Sequence, residues 1–220
     1  MRRVLVEIWS DVVCPWCYIG KRRFEQARDE FDHRDEVHVQ WRAFELDPRA
    51  PRERTGEPVG QLARKYGVTH ERAAAMYEQM TANAAGEGLE FHLDRTRGGN
   101  TFDAHRLLHL ARDHSLQSAL KERLLAAYFT DGEPIGDPRT LTRLAVEVGL
   151  DAAAVEAVLA GDDYAEAVRR DERLAEGLGA AGVPFFVMGR KAAVSGAQSP
   201  EVILEALELG WARQGEESPD

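Results

Sequence analysis

The chain holds two cysteines, Cys14 and Cys17, separated by a proline and a tryptophan. This spacing puts both sulfurs on one face of a helical turn, where they can bind a metal, form a structural disulfide or exchange disulfides with a substrate. A cysteine attacks a disulfide only as a thiolate, and a free thiol is mostly protonated at neutral pH. What the pair does therefore depends on the surroundings of its sulfurs.

Cys14 comes at the end of a short apolar run, and Pro15 follows at the first position of a predicted helix, where its missing N–H costs nothing. The unpaired N–H groups and the dipole at a helix N-terminus stabilise an anion. The pattern thus predicts an exposed, acidified Cys14 that attacks and a shielded Cys17 that resolves the mixed disulfide.

Zinc binding is the main alternative, because His105 and His109 lie one turn apart on a predicted helix and could complete a tetrahedral site. The segment between Cys17 and His105 is far longer than the roughly 12–15 residues of compact zinc modules. His109 also lies where an apolar helix face accommodates a core histidine. These observations favour a redox pair, with a zinc-dependent binding module and a structural disulfide as alternatives.

Strand-like segments flank the chain at both ends. Residues 4–9 and 37–44 predict strands on either side of a helix that starts at the motif, which makes a βαβ unit with a parallel pair. Residues 184–188 and 191–196 predict a β-hairpin, followed by a helix that begins at Pro200. The apolar positions of the first helix are Trp16, Ile19, Phe24, Ala27 and Phe31.

Between these segments the sequence changes character. Residues 45–58 are polar and proline-rich, and residues from Gly60 to about Gly179 are predicted to be almost entirely helical. The expected fold class is therefore α/β, ordered βαβ…ββα around a large all-α insertion. We expect one domain from 1–50 and 180–212, an insertion domain from 58–179, and a flexible tail at 213–220.

Composition restricts the class of partner. The 220 residues carry a formal net charge of -10, with basic residues scattered among acidic ones, which argues against nucleic acid or an anionic membrane as partner. Glu7 interrupts the apolar run near the N-terminus, and no stretch approaches the roughly 20 apolar residues of a membrane span. We therefore expect the protein to be cytoplasmic, and structural disulfides are rare in the cytoplasm.

Four pieces of sequence, SDVVCPWCYIGKRRFE, FELDP, NTFDAHRL and GVPFFV with VSGAQ, extend from residue 10 to residue 198. Together they resemble the DsbA-like branch of the thioredoxin superfamily and, within it, the bacterial, cytoplasmic FrnE-like dithiol-disulfide oxidoreductases. The resemblance implies a thioredoxin fold with a helical insertion and no cofactor beyond a redox-active disulfide. It further implies a disulfide or dithiol substrate (protein, peptide or small thiol), allows a low-molecular-weight thiol as co-substrate, and fits a monomer or a homodimer.

The resemblance also implies roles for particular residues. Cys14 is expected to be the nucleophile and Cys17 the resolving thiol. Val183 and Pro184 are expected to join through a cis peptide bond that faces the cysteines, with their backbone pairing with a bound substrate chain. Sequence alone favours a simpler role for Pro184, that of starting a strand.

The resemblance implies further substrate-binding residues, and structural roles are the alternatives for them. Trp16 supplies no positive charge between the cysteines, so Cys14 is expected to be less acidic than in strongly oxidising relatives. Asn100 and His105 match a family motif that lines the cleft, or else serve as cap and core residues. Gln198 resembles a position that holds a glutathione carboxylate in related folds, next to a possible helix-capping serine.

Asp11 precedes Cys14 by three residues and either shuttles a proton, raises the pKa of the thiol by charge repulsion, or simply ends the strand. Related kappa-class glutathione transferases and 2-hydroxychromene-2-carboxylate isomerases typically have serine in place of the attacking cysteine. This chain keeps both cysteines, which favours disulfide exchange. A glutathione-dependent transferase or isomerase is the alternative enzyme.

Overall fold

The structure, a computed structural model, describes residues 3–212, so the predicted tail at 213–220 lies outside the described residues. The described chain forms strands and helices in the expected order, with a short 3-10 turn before the second strand. The strands are β1 (Val4–Ser10), β2 (Val37–Ala43), β3 (Phe185–Met188) and β4 (Ala192–Ser195). The helices are α1 (Pro15–Glu30), α2 (Pro58–Tyr66), α3 (His70–Gly86), α4 (Phe102–Asp113), α5 (Gln117–Phe129), α6 (Pro138–Glu147), α7 (Ala152–Ala160), α8 (Ala165–Gly177) and α9 (Pro200–Ala212).

The strands form a single sheet in the order β2-β1-β3-β4. β1 and β2 are parallel and joined through α1, because parallel neighbours need a crossover connection. β3 runs antiparallel to both β1 and β4. Gly189 and Arg190 are the central residues of the turn between β3 and β4, which the Lys191 N–H closes by donating to the Met188 carbonyl, and both have positive φ. The βαβ and ββα units predicted from the sequence are confirmed, and so is the α/β fold class.

One face of the sheet is covered by α1 and α9. Phe24 of α1 packs on Phe186 of β3 with ring centroids 6.1 Å apart, and both side chains are almost fully buried. Gly210 lets α9 lie directly on the sheet, since a Cβ at this position would come within 2.7 Å of Met188 Cβ. This core holds α1, and with it the cysteine motif, in a fixed position at the end of β1.

The helices of the predicted insertion pack against the sheet and against the loop that leads into the motif. A second core formed mainly by α4 to α7 includes Val12, so it anchors the loop that leads into the motif. The side-chain amide of Gln117 in α5 accepts the backbone N–H of Trp41 at 3.0 Å and donates to its carbonyl at 2.9 Å. Gln117 thereby satisfies polar groups that an edge strand would otherwise leave unpaired.

The prediction of nearly continuous helix from 60 to 179 was wrong for one segment, since residues 87–101 run irregularly between α3 and α4. The end of this segment, residues 98–100, pairs with residues 51–54, where Asn100 N donates to Pro51 O at 2.9 Å. Gly99 and Gly136 both abut Arg52, whose carbonyl oxygen would lie 2.2 and 1.8 Å from an added Cβ. Such pairing leaves no periodic signal in the sequence. The division of the chain into a thioredoxin-like domain and a helical insertion domain stays a prediction.

Within the described residues, no helix combines the length and the apolar character needed to cross a membrane.

Candidate active site

The cysteine motif lies at the junction of β1 and α1. Cys14 is the N-cap of α1 with extended backbone dihedrals, Pro15 begins the helix, and Cys17 N donates to the Cys14 carbonyl at 3.0 Å. The predicted helix start is confirmed, and neither cysteine is in a disulfide. Both sulfurs therefore lie on the first turn of a helix whose N-terminus carries unpaired N–H groups.

Exposure at the motif differs from the sequence prediction. Cys14 is only 5% exposed and Cys17 only 1%, so the attacking sulfur is nearly as buried as the resolving one. A loop covers Cys14, whose Sγ lies 3.6 Å from the carbonyl oxygen of Val183. Trp16, predicted to be on the apolar face, is 39% exposed because residues 14 and 17 face inwards and residue 16 lies on the opposite side of the turn.

The loop over Cys14 contains a cis peptide bond between Val183 and Pro184, as the resemblance implies. It packs on α1 at Gly20, where an added Cβ would lie 2.8 Å from Pro184 Cγ. Gly20 is therefore the residue that lets this loop approach the motif. Sequence analysis missed it, although a glycine inside a helical pattern signals a close packing contact.

Asp11 is a buried carboxylate between the motif and the helical segments. Its Oδ1 lies 3.4 Å from His105 Nε2, and its Oδ2 accepts the backbone N–H of Leu46 at 2.8 Å. Burial opposes ionisation, but these hydrogen bonds and the nearby cations hold the pKa of Asp11 below its ordinary value. His105 is 1% exposed and contacts Asp11, so it lies beneath the motif and not at the surface of a cleft.

Lys121 of α5 is a fully buried lysine beside the motif, with an exposed fraction of 0%. Its Nζ donates to the Ser10 carbonyl at 3.1 Å and lies 5.6 Å from the centre of the Trp41 ring. Burial lowers the pKa of Lys121 to about 8, although the neighbouring thiols and Asp11 favour its charged form. Sequence analysis missed Lys121; the available signal was a lysine in the apolar stripe of α5.

The surroundings affect the two thiols in opposite directions. A hydrogen bond to Cys17, burial and the charge of Asp11 raise the pKa of Cys14 well above its ordinary value. Burial also opposes ionisation of Cys17, but the hydrogen bond from Cys14 and the Lys121 ammonium lower the pKa of Cys17. These neighbours act against the acidification of Cys14 that its position at the helix N-terminus predicts, and that acidification stays a prediction.

A cleft of about 580 Å³ lies beside the motif. Arg54 and Asp47 line it as an ion pair, whereas Arg64 and Lys65 have no ion-pair partner among residues 3–212. The cleft is therefore open to an anionic or polar ligand. Its lining is formed by Asp11, Val13, Leu46, Asp47, Arg54, Gln61, Leu62, Arg64, Lys65, Tyr77, Gly98, Gly99, Thr101 and Tyr128.

The other predicted residues lie further from the sulfurs. Asn100 precedes Thr101, the N-cap of α4, and its side-chain oxygen accepts the Phe102 N–H at 2.9 Å, while its amide nitrogen lies 3.4 Å from the Pro48 carbonyl. The Gln198 amide donates to the Ser195 carbonyl at 2.9 Å in the turn after β4. Their part in substrate binding stays a prediction.

The predicted zinc ligands do not come together. His109 is buried with its Nε2 3.0 Å from Asp171 Oδ2, whereas His105 contacts Asp11. In the described part of the chain, no three histidine, cysteine or carboxylate side chains are placed to share a metal ion. His109 thus has the core position that its helical spacing indicates.

Comparisons show similarity over nearly the whole chain. The family model described as "DSBA-like thioredoxin domain" matches residues 5–208. The uncharacterised protein YwbO of Bacillus subtilis (strain 168) is 30% identical over 206 residues, which cover 93% of this chain and 96% of that protein.

Solved structures share the fold. The crystal structure of a probable DsbA oxidoreductase from Streptomyces coelicolor is 46% identical with a TM-score of 0.91, covering 99% of this chain and 93% of that one. DsbM of Pseudomonas aeruginosa, a cytosolic disulfide reductase solved with GSH, is 17% identical with a TM-score of 0.62, covering 94% and 96% of the two chains. At this lower identity the similarity concerns the fold alone.

Proposed function

Because the chain belongs to the DSBA-like thioredoxin domain family, we propose that it is a thiol-disulfide oxidoreductase that works through Cys14 and Cys17. The observation that carries the proposal is the pair of free thiols at the start of α1, beneath the loop of Val183 and Pro184. We further propose a FrnE-like enzyme of the bacterial cytoplasm that needs no cofactor beyond this pair.

The proposed reaction is a two-step disulfide exchange. Cys14 loses its proton and attacks one sulfur of the substrate disulfide as a thiolate, which forms a mixed disulfide and releases the other sulfur as a thiolate. Cys17 then loses its proton, attacks the Cys14 sulfur and releases the second thiolate of the substrate. Two electrons pass from the cysteine pair to the substrate, and the reverse sequence oxidises a dithiol.

The substrate is proposed to bind in the cleft next to Cys14. Val13, the residue before the nucleophile, lines the cleft, and the uncompensated cations Arg64 and Lys65 favour an anionic disulfide or dithiol. The backbone at Val183 is proposed to pair with the substrate chain. A glutathione-dependent transferase or isomerase is the competing function, and it requires no second cysteine.

A redox titration tests the proposed function. The purified, metal-stripped protein is equilibrated in a series of thiol-disulfide buffers, and free thiols are counted by the mass added on alkylation. With two cysteines in the chain, each molecule should gain two labels or none. A potential near about -270 mV indicates a reductase such as thioredoxin, and one near about -120 mV an oxidant such as DsbA. If both thiols stay free at every potential, the redox function is wrong.

The variant Cys17→Ala is expected to accumulate the mixed disulfide between Cys14 and its substrate, because the resolving thiol is missing. Non-reducing gel electrophoresis and mass spectrometry should detect the adduct, which a reductant should release. The matched variant Cys14→Ala should form far less adduct. If Cys17→Ala instead kept full activity and released a glutathione conjugate or an isomerised product, the competing function would be supported.

A further inference from the structure

One wall of the cleft beside the motif is the helix α2, which brings two cations to it. The residues of α2 that line the cleft are Gln61, Leu62, Arg64 and Lys65. They share one face of the helix because residues three and four positions apart are neighbours on a helical surface. None of the nine residues of α2 is buried. The last turn of α2 therefore presents two adjacent positive charges to the cleft.

These two charges have no carboxylate of their own. In the part of the chain that the structure describes, Arg64 and Lys65 form no ion pair, and the preceding acidic residue, Glu57, lies 3.1 Å from His70 Nε2 instead. Lys65 Nζ lies over the ring of Tyr66, 5.5 Å from its centre, and a contact with an aromatic face leaves the positive charge in place. A ligand is thus free to supply the missing anion.

The other charged residues of the cleft are already engaged. Arg54 forms an ion pair with Asp47. The Asp11 carboxylate accepts the Leu46 N–H at 2.8 Å and lies 3.4 Å from His105 Nε2. The cleft therefore has an uncompensated positive charge at α2, in a protein whose formal net charge is -10. A local reversal of sign of this kind attracts an anion to the cleft in preference to the rest of the surface.

The size and position of the cleft restrict what that anion can be. A cavity of about 580 Å³ lies in the range of small-molecule sites. Val13, the residue before Cys14, lines the same cavity as α2, so one bound molecule can contact both. Cys14 is only 5% exposed, so the flat surface of a folded protein would not reach its sulfur. The cleft thus fits a small anion better than a protein.

We propose that Arg64 and Lys65 form an anion subsite that selects, as the disulfide substrate, a small molecule bearing a carboxylate group. This inference rests on the proposed redox function and narrows its substrate from disulfides in general to a class of stated size and charge. The two side chains bind the carboxylate of the substrate while its disulfide lies against Cys14. They determine specificity and exchange no electrons.

The reaction of such a substrate balances without a further reactant. The S–S bond of the substrate breaks and the bond between Cys14 and Cys17 forms, so two electrons pass from the protein to the substrate. The two protons of the cysteine thiols end on the two thiols that the substrate releases. The carboxylate group is unchanged throughout, which is why its charge can be varied independently of the chemistry.

The test uses three disulfides of similar size and different charge: dithiodipropionate is a dianion, hydroxyethyl disulfide is neutral and cystamine is a dication. Each is added in excess to the reduced protein at pH 7, and alkylation at timed intervals counts the free thiols that remain. Each rate is divided by the rate at which mercaptoethanol reacts with the same disulfide, which removes differences in intrinsic reactivity. We expect this relative rate to be about tenfold higher for the dianion than for the neutral disulfide, and lowest for the dication.

The variant Arg64→Gln/Lys65→Gln should lower the relative rate of the dianion about tenfold and change that of the neutral disulfide by less than about twofold. The control is Arg170→Gln/Arg173→Gln, which removes the same net charge from exposed positions of α8 outside the cleft and should preserve the order of the three disulfides. Stabilisation of the C-terminus of α2 is the simpler role for Arg64 and Lys65. That role alone would affect stability and not the choice of disulfide.

Reversal of the two charges gives a test that loss of folding cannot imitate. Arg64→Glu/Lys65→Glu should react faster with cystamine than wild type does, and more slowly with dithiodipropionate. Positions 64 and 65 are exposed, so neither side chain is part of a core. Circular dichroism should first show that each variant is folded.

Equal relative rates for the three disulfides in the wild-type protein would overturn the proposal. A preference for the dianion that survives in Arg64→Gln/Lys65→Gln would do the same, because other groups would then recognise the charge. Failure of the proposed redox function gives a different result. In that case none of the three disulfides, the neutral one included, would oxidise Cys14 and Cys17.

Discussion

At the scale of single residues, Asp11 and Lys121 bring opposite charges to the same pair of sulfurs. Asp11 acts against ionisation of Cys14, and Lys121 acts in favour of ionisation of Cys17. The ionisation of the two thiols therefore depends on buried charges that the motif itself does not contain.

Replacement of Asp11 by asparagine tests this arrangement. In a Cys17→Ala background, the variant Asp11→Asn should lower the pKa of Cys14, because burial remains but the repelling charge is gone. We expect Cys14 to react several-fold faster with iodoacetamide at pH 7, measured as a rate against pH. Asp47→Asn in the same background is the control, since Asp47 lines the same cleft and is paired with Arg54. An unchanged or slower rate in Asp11→Asn would show that Asp11 does not act on Cys14.

Only part of this residue-scale arrangement could be predicted from the sequence. The cysteines are recognisable because their spacing is local, and Asp11 because it precedes Cys14 by three positions. Lys121 follows Ser10 by 111 positions, and only the folded chain brings them within 3.1 Å. A lysine in an apolar stripe marks an anomaly, but its partner is set by packing that no local pattern encodes.

At the scale of elements, the strands and helices that carry the motif follow from periodicity and capping signals. The irregular segment 87–101 was not predictable in the same way, because its hydrogen bonds follow no regular pattern: some are local, one goes to Phe129, and two join residues 98–100 to residues 51–54. The contact between α1 and the loop of Val183 and Pro184 also depends on tertiary structure. It brings together two elements that are far apart in the chain, through the missing side chain of Gly20.

The variant Gly20→Ala should therefore disturb the active site although alanine favours helix. The added Cβ meets Pro184 Cγ at 2.8 Å, so the loop must shift away from Cys14, at a cost of about 1–3 kcal/mol. We expect a lower melting temperature and slower disulfide exchange.

The matched variant Gly60→Ala in α2 should be neutral or stabilising, because its nearest neighbours would lie at 3.5 and 3.6 Å. The idea fails if Gly20→Ala behaves like Gly60→Ala in both measurements.

At the scale of the whole molecule, a buried ionic network joins the sheet to the helical segments. Asp171 of α8 accepts from Arg42 at 2.9 Å and from the Ala43 N–H at 3.0 Å, and lies 3.0 Å from His109 of α4. Arg42 also pairs with the buried Glu7 of β1. Three elements, α8, β2 and α4, thus meet at the Asp171 carboxylate, and Arg42 links them through Glu7 to β1, the strand that leads into the active site.

This network makes the stability of the molecule depend on pH in the acid range. Burial opposes ionisation of Asp171, but the neighbouring His109 ring, the Ala43 N–H and Arg42 hold the pKa of Asp171 below its ordinary value. A carboxylate with a depressed folded-state pKa stabilises the protein above its unfolded pKa of about 3.9, and the contribution is lost as pH falls through the folded value. Glu122 adds to the same loss of stability. Burial raises its pKa, but the hydrogen bonds from Arg22 and Lys21 outweigh burial and lower the pKa to about 2.

The variant Asp171→Asn should remove much of this dependence, because asparagine carries no charge to lose. At pH 7 we expect it to be less stable than wild type by about 3 kcal/mol, since Arg42 and His109 lose a buried partner. The difference should shrink as pH falls below about 4, where the wild-type carboxylate is itself protonated. Urea unfolding at pH 7 and at about pH 3 measures both quantities. Asp29→Asn, at an exposed ion pair, should change stability by less than about 1 kcal/mol at either pH. If the deficit of Asp171→Asn were the same at both pH values, ionisation of Asp171 would not hold the sheet and the helical segments together.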